Sequence, residues 1–320
     1  GSTSATRAMT GTVQGIVSSR MAYLRSGDAY ITGVAAGDGI NKKSGFLQIF
    51  GSDVTQENTT EGNGTQFGYT SETVGYALGF DSITDDGSVI GFSLSSSETD
   101  VTGKGRGNST NDIESYTASI YADKVTDNGY LEGSITFGIN ENATTRKITT
   151  AGLNRNYKGS YDSEQISIKI GGGVPSQMGN GAFITTFGSI TGTEIKTDSY
   201  TETSNTANDN LRLKVDQDDI ISFVGSVGFK IHKVSDKGTP FFSFAINQEF
   251  GDDTINNTNT YQGGGSAFKT STKVEELSAT LGLGFSSGSD TTSINFGYEA
   301  EANENDYLSH YGSLKVVHKF

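Results

Sequence analysis

Residues 131–139 read Leu131-Glu132-Gly133-Ser134-Ile135-Thr136-Phe137-Gly138-Ile139, which places Leu131, Gly133, Ile135, Phe137 and Ile139 on one face and Glu132, Ser134, Thr136 and Gly138 on the other. A period of two belongs to a β-strand, whose successive side chains point to opposite faces. The pattern recurs along the chain. Ile166, Ile168 and Ile170 alternate with Gln165, Ser167 and Lys169, and Phe242, Phe244 and Ile246 alternate with Ser243, Ala245 and Asn247. Leu277, Ala279, Leu281, Leu283 and Phe285 oppose Ser278, Thr280, Gly282 and Gly284; Ile294, Phe296 and Tyr298 oppose Ser293, Asn295 and Gly297. In each stretch the second face is small or polar.

Composition sets this pattern in context. The chain has 43 Gly, 2 Pro, 14 Tyr and 18 Phe, with 33% hydrophobic residues. A soluble domain this poor in apolar side chains struggles to offset the entropy of ordering its backbone. A wall with lipid on one side and water on the other can be ordered yet polar on average. No stretch approaches the roughly 20 apolar residues of a membrane helix. The net charge of -14 argues against a nucleic-acid partner, because phosphates would be repelled. The absence of cysteine fits an oxidising compartment. No secretory signal peptide is visible and Gly1-Ser2 resembles a cloning scar, so a longer exported precursor is expected.

The connections distinguish a membrane barrel from a soluble sandwich. Thr84-Asp85-Asp86-Gly87, Thr126-Asp127-Asn128-Gly129 and Ser235-Asp236-Lys237-Gly238 are near-copies of one tight turn, with glycine expected to supply positive φ. Residues 175–181 and 286–290 fill two further turn positions. Longer polar stretches lie between them at 56–66, 103–111, 146–159, 198–210 and 252–272. Short turns alternating with long loops mark outer-membrane barrels. Five short turns imply six hairpins, and so an antiparallel barrel of about 12 strands. The expected strands are 45–55, 68–82, 88–102, 112–124, 129–144, 160–174, 181–197, 211–234, 240–253, 272–286, 291–303 and 307–320. Leu47 and Ile49, pointing opposite to Phe46 and Phe50, are unexplained unless they contact something in the lumen.

The N-terminal segment has another period. Val13, Ile16, Val17, Met21 and Leu24 fall at helical spacing, and Ser26-Gly27 resembles a stop. Gly11 and Gly15 each weaken such a helix by roughly 1 kcal/mol, so it needs a wall to lean on. About 20 helical residues cover roughly 30 Å, the thickness of the hydrocarbon core. The expected organisation is a pore-spanning α-helix over 1–26, a linker over 27–44 and a barrel over 45–320. Arg7, Arg20 and Arg25 would then face lumenal carboxylates, with Glu132 as the expected partner and Gln165, Lys169, Asn247 and Asn295 as further lumen-facing residues.

Several stretches resemble the autotransporter β-domain. Gly45-Phe46-Leu47-Gln48-Ile49-Phe50-Gly51-Ser52 is similar to its first strand and Gly75-Tyr76-Ala77-Leu78-Gly79-Phe80-Asp81 to its second; 116–122 and 129–146 are similar to the fourth and fifth. The final Tyr311-Gly312-Ser313-Leu314-Lys315-Val316-Val317-His318-Lys319-Phe320 resembles the closing strand, with His318 where the family usually has an aromatic residue. This resemblance implies secretion of an upstream passenger, a helix left in the pore, and recognition of the last strand by the barrel-assembly machinery, with Gly312, Val316, His318 and Phe320 carrying that signal. It also implies a monomer in a Gram-negative outer membrane, among phospholipid and lipopolysaccharide. Some relatives release the passenger by cyclisation of an Asn in the helix; the first Asn here is Asn41, beyond that segment.

Other classes find less support. A passive porin or diffusion channel has no reason to begin with a pore-length helix; a third class is a surface adhesin or an enzyme acting through external loops. His232, His310 and His318 fall in no metal-ligand spacing and beside no nucleophile motif, so neither catalysis nor a cofactor is expected. Gly282-Leu283-Gly284 and Gly103-Lys104-Gly105-Arg106-Gly107 lack the strand-then-helix setting of a nucleotide site.

Overall fold

In a computed structural model, residues 16–18, 20–22, 43–61, 64–84, 86–105, 107–150, 152–252, 254–274, 276–289 and 291–320 are described. Twelve long strands form one closed antiparallel ring. They are β1 (Lys43–Gln56), β2 (Tyr69–Ile83), β3 (Val89–Gly103), β4 (Thr110–Thr126), β5 (Gly129–Thr150), β6 (Leu153–Gln177), β7 (Ala182–Thr197), β8 (Ile220–Lys233), β9 (Thr239–Glu249), β10 (Leu277–Gly288), β11 (Thr292–Asn303) and β12 (Tyr307–Lys319). Each pairs with its sequence neighbours. β1 also pairs with β12, from Ser44 opposite Lys319 to Gln56 opposite Tyr307, and that pairing closes the ring.

Burial runs opposite to that of a soluble protein. On β2, Val74, Tyr76, Leu78 and Phe80 face outward and are exposed, while Ser71, Thr73, Ala77 and Asp81 face inward and are buried. The inner wall is stitched across strands by hydroxyl pairs, Thr73 to Thr99 at 2.9 Å, Ser119 to Thr136 at 2.8 Å and Ser167 to Thr193 at 2.8 Å. Small side chains with internal partners suit a narrow wet interior, whereas outward Leu, Ile, Val and Phe suit hydrocarbon. The outer apolar band gives way to acid on the long-loop side. Asp53, Glu72, Asp100 and Asp112 stand opposite one another on β1 to β4, and Glu98, Glu114, Glu141 and Asp162 do so on β3 to β6.

The two rims differ as the turn chemistry requires. Connections at 84–88, 127–128, 178–181, 234–238 and 289–291 gather at one rim. Gly87 has φ +79° and Gly238 φ +131°, the left-handed region that favours glycine. Asp86 accepts from the Thr84 hydroxyl at 2.5 Å and the Ser88 N–H at 3.2 Å, and these donors hold its carboxyl well below the usual range. Gly129 is a correction: it is absent from the positive-φ glycines and serves close approach instead, since a Cβ there would lie 2.3 Å from the Gly173 carbonyl oxygen.

The opposite rim also departs from expectation. Residues 146–159 are not a loop: β5 and β6 run on as a paired ladder to Thr150 opposite Leu153. Both faces of that extension meet water or protein rather than lipid, so no apolar alternation marks it. The expected strand 211–234 divides into Leu213–Gln217 and β8. Leu213–Gln217 joins Tyr200–Thr201, Thr254–Tyr261 and Phe268–Lys273 in a four-stranded outer sheet. Ile195, Ile220, Ile255 and Val274 form a core beneath it. Arg146 grips Glu202 through two bonds of 2.7 and 2.6 Å and the Leu211 carbonyl at 2.8 Å, while its guanidinium lies 4.3 Å from the Tyr157 ring centre. Asp209 accepts from the Leu211 N–H, the Ser204 hydroxyl and the Tyr157 hydroxyl, at 3.1, 3.0 and 3.3 Å.

Burial pushes the Asp209 carboxyl up, but these donors and Arg155 outweigh it and hold the group below its ordinary value. The folded outer sheet therefore favours the charged form. Its contribution is complete above the unfolded value of about 3.9 and is lost as pH falls through the lowered folded value. Cleavage within 198–219 by an acid-active protease should rise as pH drops below about 4, and Asp209→Asn should be cleaved readily at every pH. A flat profile for the unaltered protein would refute this.

Candidate functional site in the barrel lumen

Helical residues 16–18 and 20–22 lie inside the ring. Ile16, Val17 and Met21 are fully buried and share one cluster with Phe46, Phe50, Ala77, Tyr121 and Val317 from the inner faces of β1, β2, β4 and β12. This contact accounts for the odd parity of the first strand, in which Phe46 and Phe50 face the helix and Leu47 and Ile49 face lipid. Glycine makes room for the rings. A Cβ on Gly79 would fall 2.2 Å from the Phe46 ring, one on Gly75 2.4 Å from Phe50, and one on Gly91 2.3 Å from Tyr121. The aromatic side chains thus lie back into the wall.

One charge is fixed in this apolar seat. Arg20, with 0% of its surface exposed, donates from Nε to Asp81 Oδ2 at 2.6 Å and from Nη2 to Asp81 Oδ1 at 2.7 Å. Arg20 Nη2 also donates to Ser44 Oγ at 2.6 Å, Ser44 Oγ to Asp81 at 2.5 Å, and Tyr121 Oη to Asp81 Oδ2 at 3.0 Å. A planar guanidinium matched to a carboxylate is among the strongest side-chain pairings. The Arg20 guanidinium and the Lys315 ammonium also lie 5.6 and 5.3 Å from the Phe46 ring centre.

The same contacts give the direction of the chain. Lys315 lies opposite Gln48, four residues up β1 from Ser44, and reaches the Ile16 carbonyl at 3.5 Å. Arg20, one helical turn later, reaches Ser44. The helix therefore runs toward the short-turn rim from its N-terminal to its C-terminal side. Lys169 donates to Ser18 Oγ at 2.6 Å from the β6 wall and stands 3.6 Å from Glu132.

The sequence-derived residues that are described have these places. Glu132, Gln165, Lys169, Asn247 and Asn295 all lie on the inward parity of their strands. Arg20 is bound by Asp81 rather than by the expected Glu132, which neighbours Lys169. Asn247 bridges β8 and β10, accepting from Ser226 at 2.8 Å and donating to Thr280 at 2.9 Å. Gly312, Val316, His318 and Phe320 share the outward parity of β12 and its end. Arg7, Val13, Leu24 and Arg25 fall outside the described residues. Sequence reasoning missed Asp81, Ser44, Tyr121 and Lys315. The only pointer was Asp81, a lone acid ending the inward row Gly75, Ala77, Gly79. The histidines have ordinary partners: His232 stacks on Phe183, His310 bonds Tyr298 at 2.7 Å and His318 bonds Thr292 at 2.9 Å.

The family model described as the autotransporter beta-domain matches residues 45–299. The chain belongs to that family. Autotransporter β-domains secrete a passenger, and this chain is an outer-membrane translocator domain of a Gram-negative bacterium, a transport unit rather than a catalytic one. No curated protein matches it by sequence. The fold is similar to the translocator domain of autotransporter NalP from Neisseria meningitidis, with TM-score 0.70, 17% identity, and coverage of 98% of this chain and 97% of that one. It is also similar to the beta domain of the Bordetella autotransporter BrkA, with TM-score 0.60, 15% identity, and coverage of 87% and 100%. The transport unit of AIDA-I from Escherichia coli gives TM-score 0.56 at 11% identity, covering 96% and 98%. At such identities these likenesses bear on the fold alone.

Two outcomes follow for this autotransporter barrel. Removing one partner of a buried ion pair costs about 3–5 kcal/mol, so Arg20→Ala should lower the free energy of unfolding by that order in a urea titration. Arg20→Met with Asp81→Leu should recover much of the loss, and an unmoved midpoint in Arg20→Ala would mean the pair is dispensable. Gly79→Val should cost about 1–3 kcal/mol by overpacking, and adding Phe46→Ala should relieve the part due to the ring, leaving that due to the Phe92 carbonyl oxygen 2.8 Å from the Cβ position. Failure of that relief in the same titration would place the strain elsewhere.

Proposed function

We propose that the buried helix is the plug of the secretion pore, held after the passenger has passed outward and read through Ile16, Val17, Arg20 and Met21. One observation carries this reading: Arg20 is gripped by Asp81, Ser44 and the Phe46 ring near the short-turn rim, with the preceding turn deeper in the lumen. A chain with this direction leads from the lumen back to β1 at the periplasmic rim and, in the other sense, outward to the passenger. Twelve strands enclose more than the side-chain-filled eight-stranded case and less than an open porin. A helix about 10–12 Å across fits that bore, whereas a folded domain does not, so the passenger crosses unfolded or locally helical.

The remaining partners follow from surface chemistry. The outward acidic rows stand where lipopolysaccharide headgroups and their divalent cations would meet the wall, and like charges opposite one another need such screening. Gly312, Val316, His318 and Phe320 form the stripe offered to the barrel-assembly machinery. The barrel acts as a monomer, its edges closed against each other.

Deleting residues 3–26 should raise single-channel conductance in planar bilayers severalfold, because the bore empties. Arg20→Ala should produce flickering intermediate openings. Conductance unchanged by the deletion would remove the plug from the mechanism.

A further inference from the structure

A groove of about 430 Å³ opens on the lipid-facing side of the wall, beside the short-turn rim. Its sides are the exposed residues Phe80, Ile90, Phe92, Ile120 and Phe320, and Lys43 stands at its rim end. Phe80 and Phe92 rest with ring centres 5.7 Å apart. Phe80 and Phe320 lean across Gly45, where a Cβ would come within 3.1 and 3.3 Å of their rings, so the end of the chain beyond β12 forms one edge of the concavity. Outward side chains on a smooth wall need only fluid acyl chains around them. A shaped apolar furrow ending in a cation selects.

Lys43 has the chemistry to do so. Its position is outward and exposed, and no carboxylate lies within ion-pair distance of it among the described residues. Lys124 at the same rim is instead engaged by Asp86 at 3.4 Å. Asp81, although beside the groove, is committed to Arg20 on the lumenal side. In a chain of net charge -14, an ammonium with no carboxylate partner among the described residues, at the end of an apolar furrow, favours an anion with a hydrocarbon tail.

We propose that this groove binds one anionic phospholipid of the inner leaflet, an acyl chain lying between Phe80, Phe92 and Ile120 and the phosphate paired with Lys43. A phosphatidylethanolamine carries its own ammonium, which competes with Lys43 for the phosphate. A phosphatidylglycerol carries none, and the site prefers it. The lipid lies along β1 to β4, beside the end of β12.

Native mass spectrometry of the refolded barrel, released from micelles containing equal phosphatidylglycerol and phosphatidylethanolamine with identical chains, tests this. The expected result is one retained phosphatidylglycerol per barrel. Lys43→Ala should reduce that adduct about fivefold, the worth of one surface cation, and abolish the headgroup preference, while Lys43→Arg keeps both. Ile90→Trp, which fills the furrow, should remove the adduct, with folding of every variant checked by heat-modifiable gel migration. Equal adducts of the two lipids on the unaltered protein, or retention indifferent to Lys43→Ala and Ile90→Trp, would overturn the proposal.

Discussion

Hydrocarbon offers no hydrogen-bond partner, so every backbone N–H and C=O that crosses it must be paired within the chain. For a sheet the only solution is to have no edge. The pairing of β1 with β12, Lys43–Gln56 against Tyr307–Lys319, meets that demand here, and the other features follow from it. Closure fixes the inside and the outside of every strand. It also confines the interior to side chains small enough to share a narrow tube, which is why Ser, Thr, Asn and Gly dominate the inner face.

That confinement turns glycine into a structural instrument. The lumen must receive large rings to seat a helix, yet the bore has little to spare. Placing Gly79, Gly75 and Gly91 beside Phe46, Phe50 and Tyr121 resolves the conflict, because each ring occupies the volume of a missing side chain. The helix then rests on a flat aromatic bed, and Arg20 is carried to Asp81 in a site sealed from both lipid and water. The few helical residues described, 16–18 and 20–22, have little stability alone. The wall supplies it.

Much of this was written in the alternation of residues. The strand pattern at 131–139 and its repeats gave the period, the tight turns gave the count, and parity alone placed Glu132, Lys169 and Asn247 toward the lumen. Parity names a face but not a neighbour across the bore, which is why the sequence points Arg20 to Glu132 while Asp81 lies against it. The puzzle at Phe46 and Phe50 was legible as a conflict, and its resolution needed the helix in place. At the outer rim the pattern fails for another reason. Where both faces meet water or other protein segments rather than lipid, as along 146–159 and in Thr254–Tyr261, no hydrophobic alternation is required, so strand and loop look alike.

The outward face has a neighbour that is a liquid. Lipid tails conform to whatever contour the protein presents, so Val74, Leu78 or Ile170 answer to oiliness and hardly to shape, in contrast to a globular interior where each methyl is moulded against fixed atoms. Half of each strand is thereby released to drift among Leu, Ile, Val and Phe over evolutionary time. Barrels of one architecture can diverge until little but the turns, the inner glycines and the closing seam still speaks of common form.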